Sequence, residues 1–300
     1  MALSIQIWVK AIVEKLFADN SFAARSVDHS EFVNATKVHV PNAGEGPGVE
    51  KNRSSFPASV TQRTDVDLDY DIDEYTVDPV RISNAEEVEL SYNKRESVIG
   101  SARRKLADKI YSDLIYKWIP TGVTVVKTVG KSVAAHLTGA TGNRLSMTKE
   151  TVDALQVQFD EWDIPEEGRY ILLDARMYNQ LKNSLTDNET VHFLAGADPV
   201  KGVIGEYAGF KFYKRSKVAK ATNAGAIKEW NAANAATDCA AGIAWQEDCV
   251  SRALGDSVLY DDQKNPLYYG DIISFLQRAG GSSIRSDKKG IALIVQGTPA

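Results

Sequence analysis

The sequence predicts an α+β fold in which a long extended hairpin and a long helix precede a body of mixed strands and helices. Three observations carry that expectation. The stretch TDVDLDYDIDEY (64–75) sets Asp65, Asp67, Asp69, Asp71 and Asp73 at every second position, between Val66, Leu68, Tyr70 and Ile72. A period of two is that of an extended strand. Further on, Ile99, Ala102, Leu106, Ile110, Leu114 and Trp118 recur at a three-to-four spacing, which marks one face of a helix. Beyond residue 121, strand-like and helix-like stretches alternate with no internal repeat.

The bulk composition bounds what such a chain can be. Three hundred residues exceed what one small core needs, so two compact units, or one unit with long extensions, are expected. A net charge of −5 argues against a protein that coats nucleic acid, because such domains are strongly basic, but not against one that encloses it. Cys239 and Cys249 are too few for a disulfide scaffold and lack metal-ligand spacing, which fits a reducing, intracellular compartment. No run approaches the roughly 20 apolar residues of a spanning helix, so no membrane partner is expected.

Taken in order, residues 1–20 read as a short amphipathic helix. Trp8, Ile12 and Leu16 recur every four residues, while Lys10, Glu14 and Lys15 interrupt what would be a signal peptide's apolar core. KVHVP (37–41) reads as a strand stopped by Pro41. Residues 44–48 hold only glycine and proline around Glu45, a composition that cannot order itself alone. Residues 37–81 therefore form a two-armed hairpin with a mobile middle, carrying Lys51 and Arg53 near its tip. Arms of about 20 extended residues reach on the order of 65 Å. Excursions of this size inside compact domains are uncommon and usually functional.

The helix that follows opens with Ser83 or Asn84 as cap and Glu86 or Glu87 three residues on, and Pro120 ends it. Gly100 is the expected kink. The single apolar face predicts a helix lying across a sheet rather than a coiled coil. Between residues 94 and 109 it carries six bases, Lys94, Arg95, Arg103, Arg104, Lys105 and Lys109, against two acids. In the body, VTVVKTV (123–129) is strand-like and residues 148–162 are helical with Thr148 as cap. GRYILLD (168–174) is a strand followed at once by the helix ARMYNQLKNS, and residues 202–218 form a hairpin. The Ala- and Asn-rich residues 219–242 read as a surface loop. The remainder returns to strands with one intervening helix.

No recognised catalytic spacing emerges. An EF-type calcium loop needs glycine at its sixth position and glutamate at its twelfth. Counted from Asp65 these are Tyr70 and Thr76, and counted from Asp67 they are Ile72 and Asp78. Same-face carboxylates of a strand lie roughly 7 Å apart, too far for neighbours to share one ion. His29, His39, His136 and His192 fall in no metalloprotease spacing, GATGNR (139–144) lacks the lysine of a phosphate loop, and no serine sits in a GxSxG elbow. No catalytic residue, metal or cofactor is assigned.

Three stretches carry a resemblance: RYILLDARMYNQLKNS, GVIGEYAGFKFYKRSKV and YYGDIISFLQRAGG with RSDKKGIALI after it. In wording and order they are similar to the axial and peripheral segments of the major capsid proteins of tailed bacteriophages, with the Hong-Kong-97-type shell fold. The resemblance covers nearly the whole chain. It implies an N-terminal arm (1–36), an extended loop (37–81), the spine helix of a peripheral domain (82–120), an axial domain (121–243) and a return to the peripheral domain (244–300). It also implies a non-enzymatic shell subunit that forms pentamers and hexamers and encloses double-stranded DNA in an icosahedral head. Such a subunit is assembled in the host cytoplasm, ends in the virion, and works with a portal. Two departures stand out. No cleavable scaffolding-like segment precedes the arm, which implies a separate scaffolding protein or none. No lysine and asparagine match the covalent cross-link of some members.

Physical magnitudes say how the hairpin would dock on a neighbouring copy. Exposed ion pairs contribute about 0.2–1 kcal/mol each, against roughly 1–2 kcal/mol per ordered residue of chain entropy. The aspartates therefore cannot drive docking. Backbone pairing and burial of Val66, Leu68, Tyr70 and Ile72 must, while the acids set register against the basic helix and deter premature edge pairing. The expected contact residues are the acidic strand, Lys51, Arg53, Arg103, Arg104, Lys105, Trp8, Ile12 and Leu16. Two other readings remain at this point: an encapsulin-like compartment around protein cargo, and an aspartate-dependent metal-binding enzyme.

Overall fold

The computed structural model describes residues 22–34, 36–42, 49–54, 56–57, 60, 66–83, 94–198 and 202–299. The amphipathic helix expected over 1–20, and the helix cap expected at Asn84 with Glu86 or Glu87, lie outside them, while Ser83, the other expected cap, ends a strand that pairs with Gly270.

The arm is stitched into its own subunit. Phe22–Ala24 make a 3-10 turn, and β1 (Val27–Asp28) pairs parallel with Ser251 and Arg252. The Arg252 guanidinium donates to the carbonyls of Ala23 (3.1 Å), Ala24 (3.3 Å) and Ser26 (2.6 Å), and also reaches the Asp28 carboxylate at 3.1 Å. β2 (Val33–Asn34), β3 (Lys37–Asn42) and β4 (Val66–Asp71) then form an antiparallel three-stranded sheet with β4 at its edge. Pro41 falls within β3, near its end, where a missing backbone donor is best tolerated.

The acidic stretch is not one strand. It breaks at Ile72, and β5 (Asp73–Thr76) and β6 (Val80–Ser83) pair instead with residues 270–279, in a different sheet. Ile72 is 6% exposed, and a Cβ added at either Gly255 or Gly280 would lie 2.7 Å from one of its methyl carbons. Two facing glycines thus make the seat on which the chain changes sheets.

Helix α1 (Lys94–Trp118) runs unbroken across Gly100 for 25 residues, about 37 Å. Ile99 and Ala102 pack with Ile273 and Phe275, and Leu106 and Ile110 with Ala279. The Trp118 indole donates to the Ser251 carbonyl at 2.7 Å. The helix therefore lies along one strand of a sheet, as its single apolar face requires. A Cβ at Gly100 would meet nothing within 4 Å. Gly100→Ala is expected to stabilise the chain by about 0.5–1 kcal/mol in a urea titration, since alanine restricts the unfolded chain and suits the helix. Destabilisation would mean that the backbone at Gly100 is not helical.

The body is built on a seven-stranded sheet. β7 (Thr124–Lys127) is followed by a small hairpin of β8 (Ser132–Ala134) and β9 (Asn143–Leu145). Helix α2 (Lys149–Glu161) follows Thr148 as expected, β10 (Arg169–Asp174) is buried throughout, and α3 (Ala175–Ser184) starts directly from it. Asp174 caps α3 by accepting the Met177 N–H at 2.6 Å. Helix α4 (Asp187–Ala195), which periodicity does not predict, has a complete capping box between Thr186 and Glu189. β11 (Glu206–Tyr207) and β12 (Phe210–Arg215) form the expected hairpin, turning at Ala208 and Gly209, both with positive φ.

Residues 219–242 are not simply a loop. β13 (Ala219–Ala221) and the start of β14 (Cys239–Gln246) are buried strands of the sheet, leaving only 222–238 between them. The small residues are there for close packing: a Cβ on Gly242 would stand 2.7 Å from Leu173 and 2.8 Å from the Leu172 carbonyl. The expected intervening helix is only a 3-10 turn at Glu247–Cys249. β15 (Val250–Asn265) and β16 (Gly270–Ser283) form a long hairpin, and β17 (Ile291–Val295) pairs with β14 and β7. Residues 291–295 thus join the seven-stranded sheet, not the sheet of β15 and β16. Five buried apolar residues in a row suit a strand covered on both faces.

The five-stranded sheet of β1, β15, β16, β5 and β6 carries α1, and the seven-stranded sheet carries the larger core. Phe22, Trp118, Trp245, Tyr170 and Tyr213 join the two, with Phe22 meeting both indoles edge-on at 5.7 and 6.2 Å.

Candidate docking surfaces

The acidic edge strand finds partners within its own subunit. Register places Lys37 opposite Asp71 and His39 opposite Asp69, and these pairs close at 3.6 and 2.7 Å. Asp73 meets Lys117 of α1 at 2.6 Å. Asp69, Asp71 and Asp73 therefore have basic partners within the subunit. β3 supplies bases at the same period of two, and being exposed, each pair is worth about 0.2–1 kcal/mol. Asp67 is exposed opposite Pro41. Asp65 lies outside the described residues, and Val66 is placed by its backbone pairing with Asn42.

The apolar half is also partly used up. Ile72 and Tyr70 pack with Val38, Ala253 and Val33. The Tyr70 hydroxyl accepts from Ser251 Oγ at 3.2 Å and lies 3.3 Å from His29 Nδ1, and burial pushes its pKa up to about 12. Burial likewise lowers the pKa of His29. Tyr70 and Ile72 are corrected from docking residues to the hairpin's anchor, because the chain must bury something where it crosses between sheets. Leu68 is half-buried opposite Val40, and among the described residues no strand pairs with the outer edge of β4.

Farther out, Lys51 is exposed, and Arg53 pairs with Glu50 at 3.2 Å. The same excursion leaves Val49, Phe56 and Val60 exposed. On α1, Arg104 and Lys105 are exposed and Arg103 is half-buried, with no carboxylate partner among the described residues. Trp8, Ile12 and Leu16 lie outside the described residues.

A second surface is one that sequence reasoning misses. The β15–β16 hairpin ends in a turn where Leu267 is 82% and Tyr269 77% exposed, with Tyr268 and Tyr260 also exposed. Contiguous exposed apolar side chains mark interaction sites. The signal is there, in NPLYYG between two hydrophobic runs, but bulges after Leu254 and Asp262 break the period of two.

Cys249 is not a nucleophile. Cys249 is buried, and burial pushes its thiol up to about 11, away from a reactive thiolate. No described helix is long and apolar enough to cross a membrane.

No family model matches the sequence, and no curated protein matches it. Solved structures do. The capsid of Ralstonia phage GP4 superposes with a TM-score of 0.64 at 12% identity, over 96% of this chain and 91% of that one. The structure from Mycobacterium phage Che8 gives 0.60 at 16% identity, over 93% and 92%. A virus-like particle from Pyrococcus furiosus gives 0.56 at 12% identity, over 97% and 99%. Similarity that spans nine-tenths of each partner is more than a common sheet could give. The chain therefore has the α+β shell fold of the Hong-Kong-97 type, shared with the GP4 and Che8 structures.

Proposed function

We propose that the chain is the structural major capsid protein of a tailed phage. Copies gather into pentamers and hexamers and close into an icosahedral head around double-stranded DNA, without reading its sequence. The observation that carries this reading is the match to phage capsids over more than nine-tenths of both chains. Two sets of exposed apolar side chains among the described residues, Val49, Phe56 and Val60 on the excursion and Leu267–Tyr269 at the tip, support it, since a shell subunit must keep such surfaces for its neighbours. A net charge of −5 suits a container that releases its nucleic acid.

In this reading the seven-stranded sheet forms the axial domain, with loop 222–238 at the capsomer axis, and the five-stranded sheet with α1 forms the peripheral domain. The exposed bases Arg104 and Lys105, with Arg103, face a neighbouring copy. A separate scaffolding protein and a portal take part, assembly takes place in the host cytoplasm, the product is the virion shell, and the subunit performs no catalysis. A second reading, a protein compartment around a cargo enzyme, draws on the likeness to the Pyrococcus virus-like particle.

Electron microscopy of the chain, expressed alone and with its scaffold, tests both readings. Closed shells, tubes or rings are expected, with nucleic acid rather than a cargo protein inside particles matured in the host. Removal of residues 43–65, with the strand ends rejoined by a short turn, is expected to prevent closed shells. A monomer under every condition would end the proposal.

A further inference from the structure

Loop 222–238, between β13 and β14, is ordered by charge more than by apolar burial. Of its residues only Gly225 and Asp238 are buried, so the one side chain it places fully inside is a carboxylate. Ile227 and Trp230 are half-buried, which leaves little hydrophobic gain to offset the entropy of fixing the segment. Basic side chains take that part. Lys228 Nζ, in the first limb, reaches Asp238 Oδ2 at 2.6 Å and donates to the Ala233 carbonyl at 2.7 Å. The same carboxylate oxygen accepts the Ala235 N–H at 2.6 Å. From the body, Arg144 on β9 donates to the carbonyls of Ala236 at 3.2 Å and Asp238 at 3.0 Å, and Lys220 on β13 donates to that of Ala232. Lys127 on β7 does the same for Asn223 at 3.1 Å.

These contacts divide by what they join. Arg144, Lys220 and Lys127 tie the loop to the body, while Lys228 and Asp238 tie its two limbs to one another. Taking both members of an ion pair out of water costs about as much as their attraction returns, so such a pair adds little net stability. What it fixes is geometry, because a buried carboxylate holds the ammonium, and with it the other limb, at one spacing. The outward side chains are short or polar, with Asn223, Asn231, Ala233 and Thr237 all exposed. A surface of that kind binds through the fit of its backbone, and such binding depends on the loop being ordered beforehand.

We infer that Lys228 and Asp238 are positioning residues, which preset loop 222–238 for contact with the next copy of the chain around a ring. The inference rests on the shell reading, in which this loop lies at the capsomer axis.

The double substitution Lys228→Met with Asp238→Asn tests it, since it removes both charges, strands neither, and leaves an acceptor for the Ala235 N–H. The melting temperature is expected to move by under about 3 °C. Amide hydrogen exchange over residues 222–238 of the unassembled subunit should quicken at least about tenfold, with β13 and β14 unchanged. The yield of closed particles should fall about tenfold. Lys228→Arg, which keeps the pair, should hold both exchange and yield at wild-type values. Unchanged exchange would show that the pair does not set the loop's shape. A loosened loop with particles of normal yield and geometry would show that the neighbour does not use that shape, and a larger fall in melting temperature would make the pair a stability element. Each of these overturns the assignment. Failure of the shell reading shows separately, in a wild-type chain that forms no particles, and the role toward a neighbour falls with it.

Discussion

Replacing Gly281 with valine is expected to cost the chain about 3 kcal/mol or more, a heavy loss for one added side chain. Gly281 lies on β16 opposite Arg252, directly beneath the end of α1. A Cβ there would collide with Leu114, stand 2.5 Å from the Ser251 carbonyl oxygen and lie 3.2 Å from Trp118 Nε1. That carbonyl is the acceptor of the Trp118 indole bond. Leu114 could turn aside, but the carbonyl belongs to a paired strand and cannot move without breaking the ladder. The valine therefore separates helix from sheet and strands a buried donor together. At about 2–4 °C per kcal/mol for a chain of this size, the melting temperature should fall by roughly 6–12 °C. A shift under about 2 °C would show that α1 is not seated on β16 by this contact.

The second large effect is on assembly rather than folding. The double substitution Leu267→Asp with Tyr269→Asn should leave the urea midpoint nearly unchanged, within about 0.5 kcal/mol, because both side chains are exposed. Tyr269 has φ 48°, a left-handed conformation that asparagine adopts more readily than tyrosine, so the turn itself should not suffer. If the tip docks on another copy, removing its apolar area costs each contact about 2–3 kcal/mol, repeated over every subunit. Yield of closed particles, counted by electron microscopy or sedimentation, should fall at least about tenfold. Particles of normal yield and geometry would mean that the tip faces solvent in the shell.

How much of the molecule is legible without its structure depends on how local the signal is. The helix 175–184 and the strand before it can be read at or within a residue of their observed bounds, because Asp174 at the cap and a fully apolar strand are signals within a dozen residues. Helix α4 is equally readable from Thr186 and Glu189, the same capping-box pattern as at residue 83, yet periodicity alone passes over it. The β15–β16 hairpin is not readable by periodicity, since two bulges shift the apolar face midway. Runs such as CAAG at 239–242 look like loop because small residues carry little hydrophobic signal. Only the close approach of Leu172 and Leu173 explains why they must be small.

The amino-acid sequence by itself determined the fold class, the strands at 37–42 and 66–71, the long one-faced helix and the order of segments that matched a shell subunit. Each of these follows from spacing along one stretch of chain. The tertiary structure alone decided where the acidic strand breaks, that Lys37, His39 and Lys117 answer its carboxylates, that β17 returns to the seven-stranded sheet, and that Arg144 holds the end of loop 222–238. Those are relations between residues far apart in the chain, set by strand register and by which side chains compete for the same buried space.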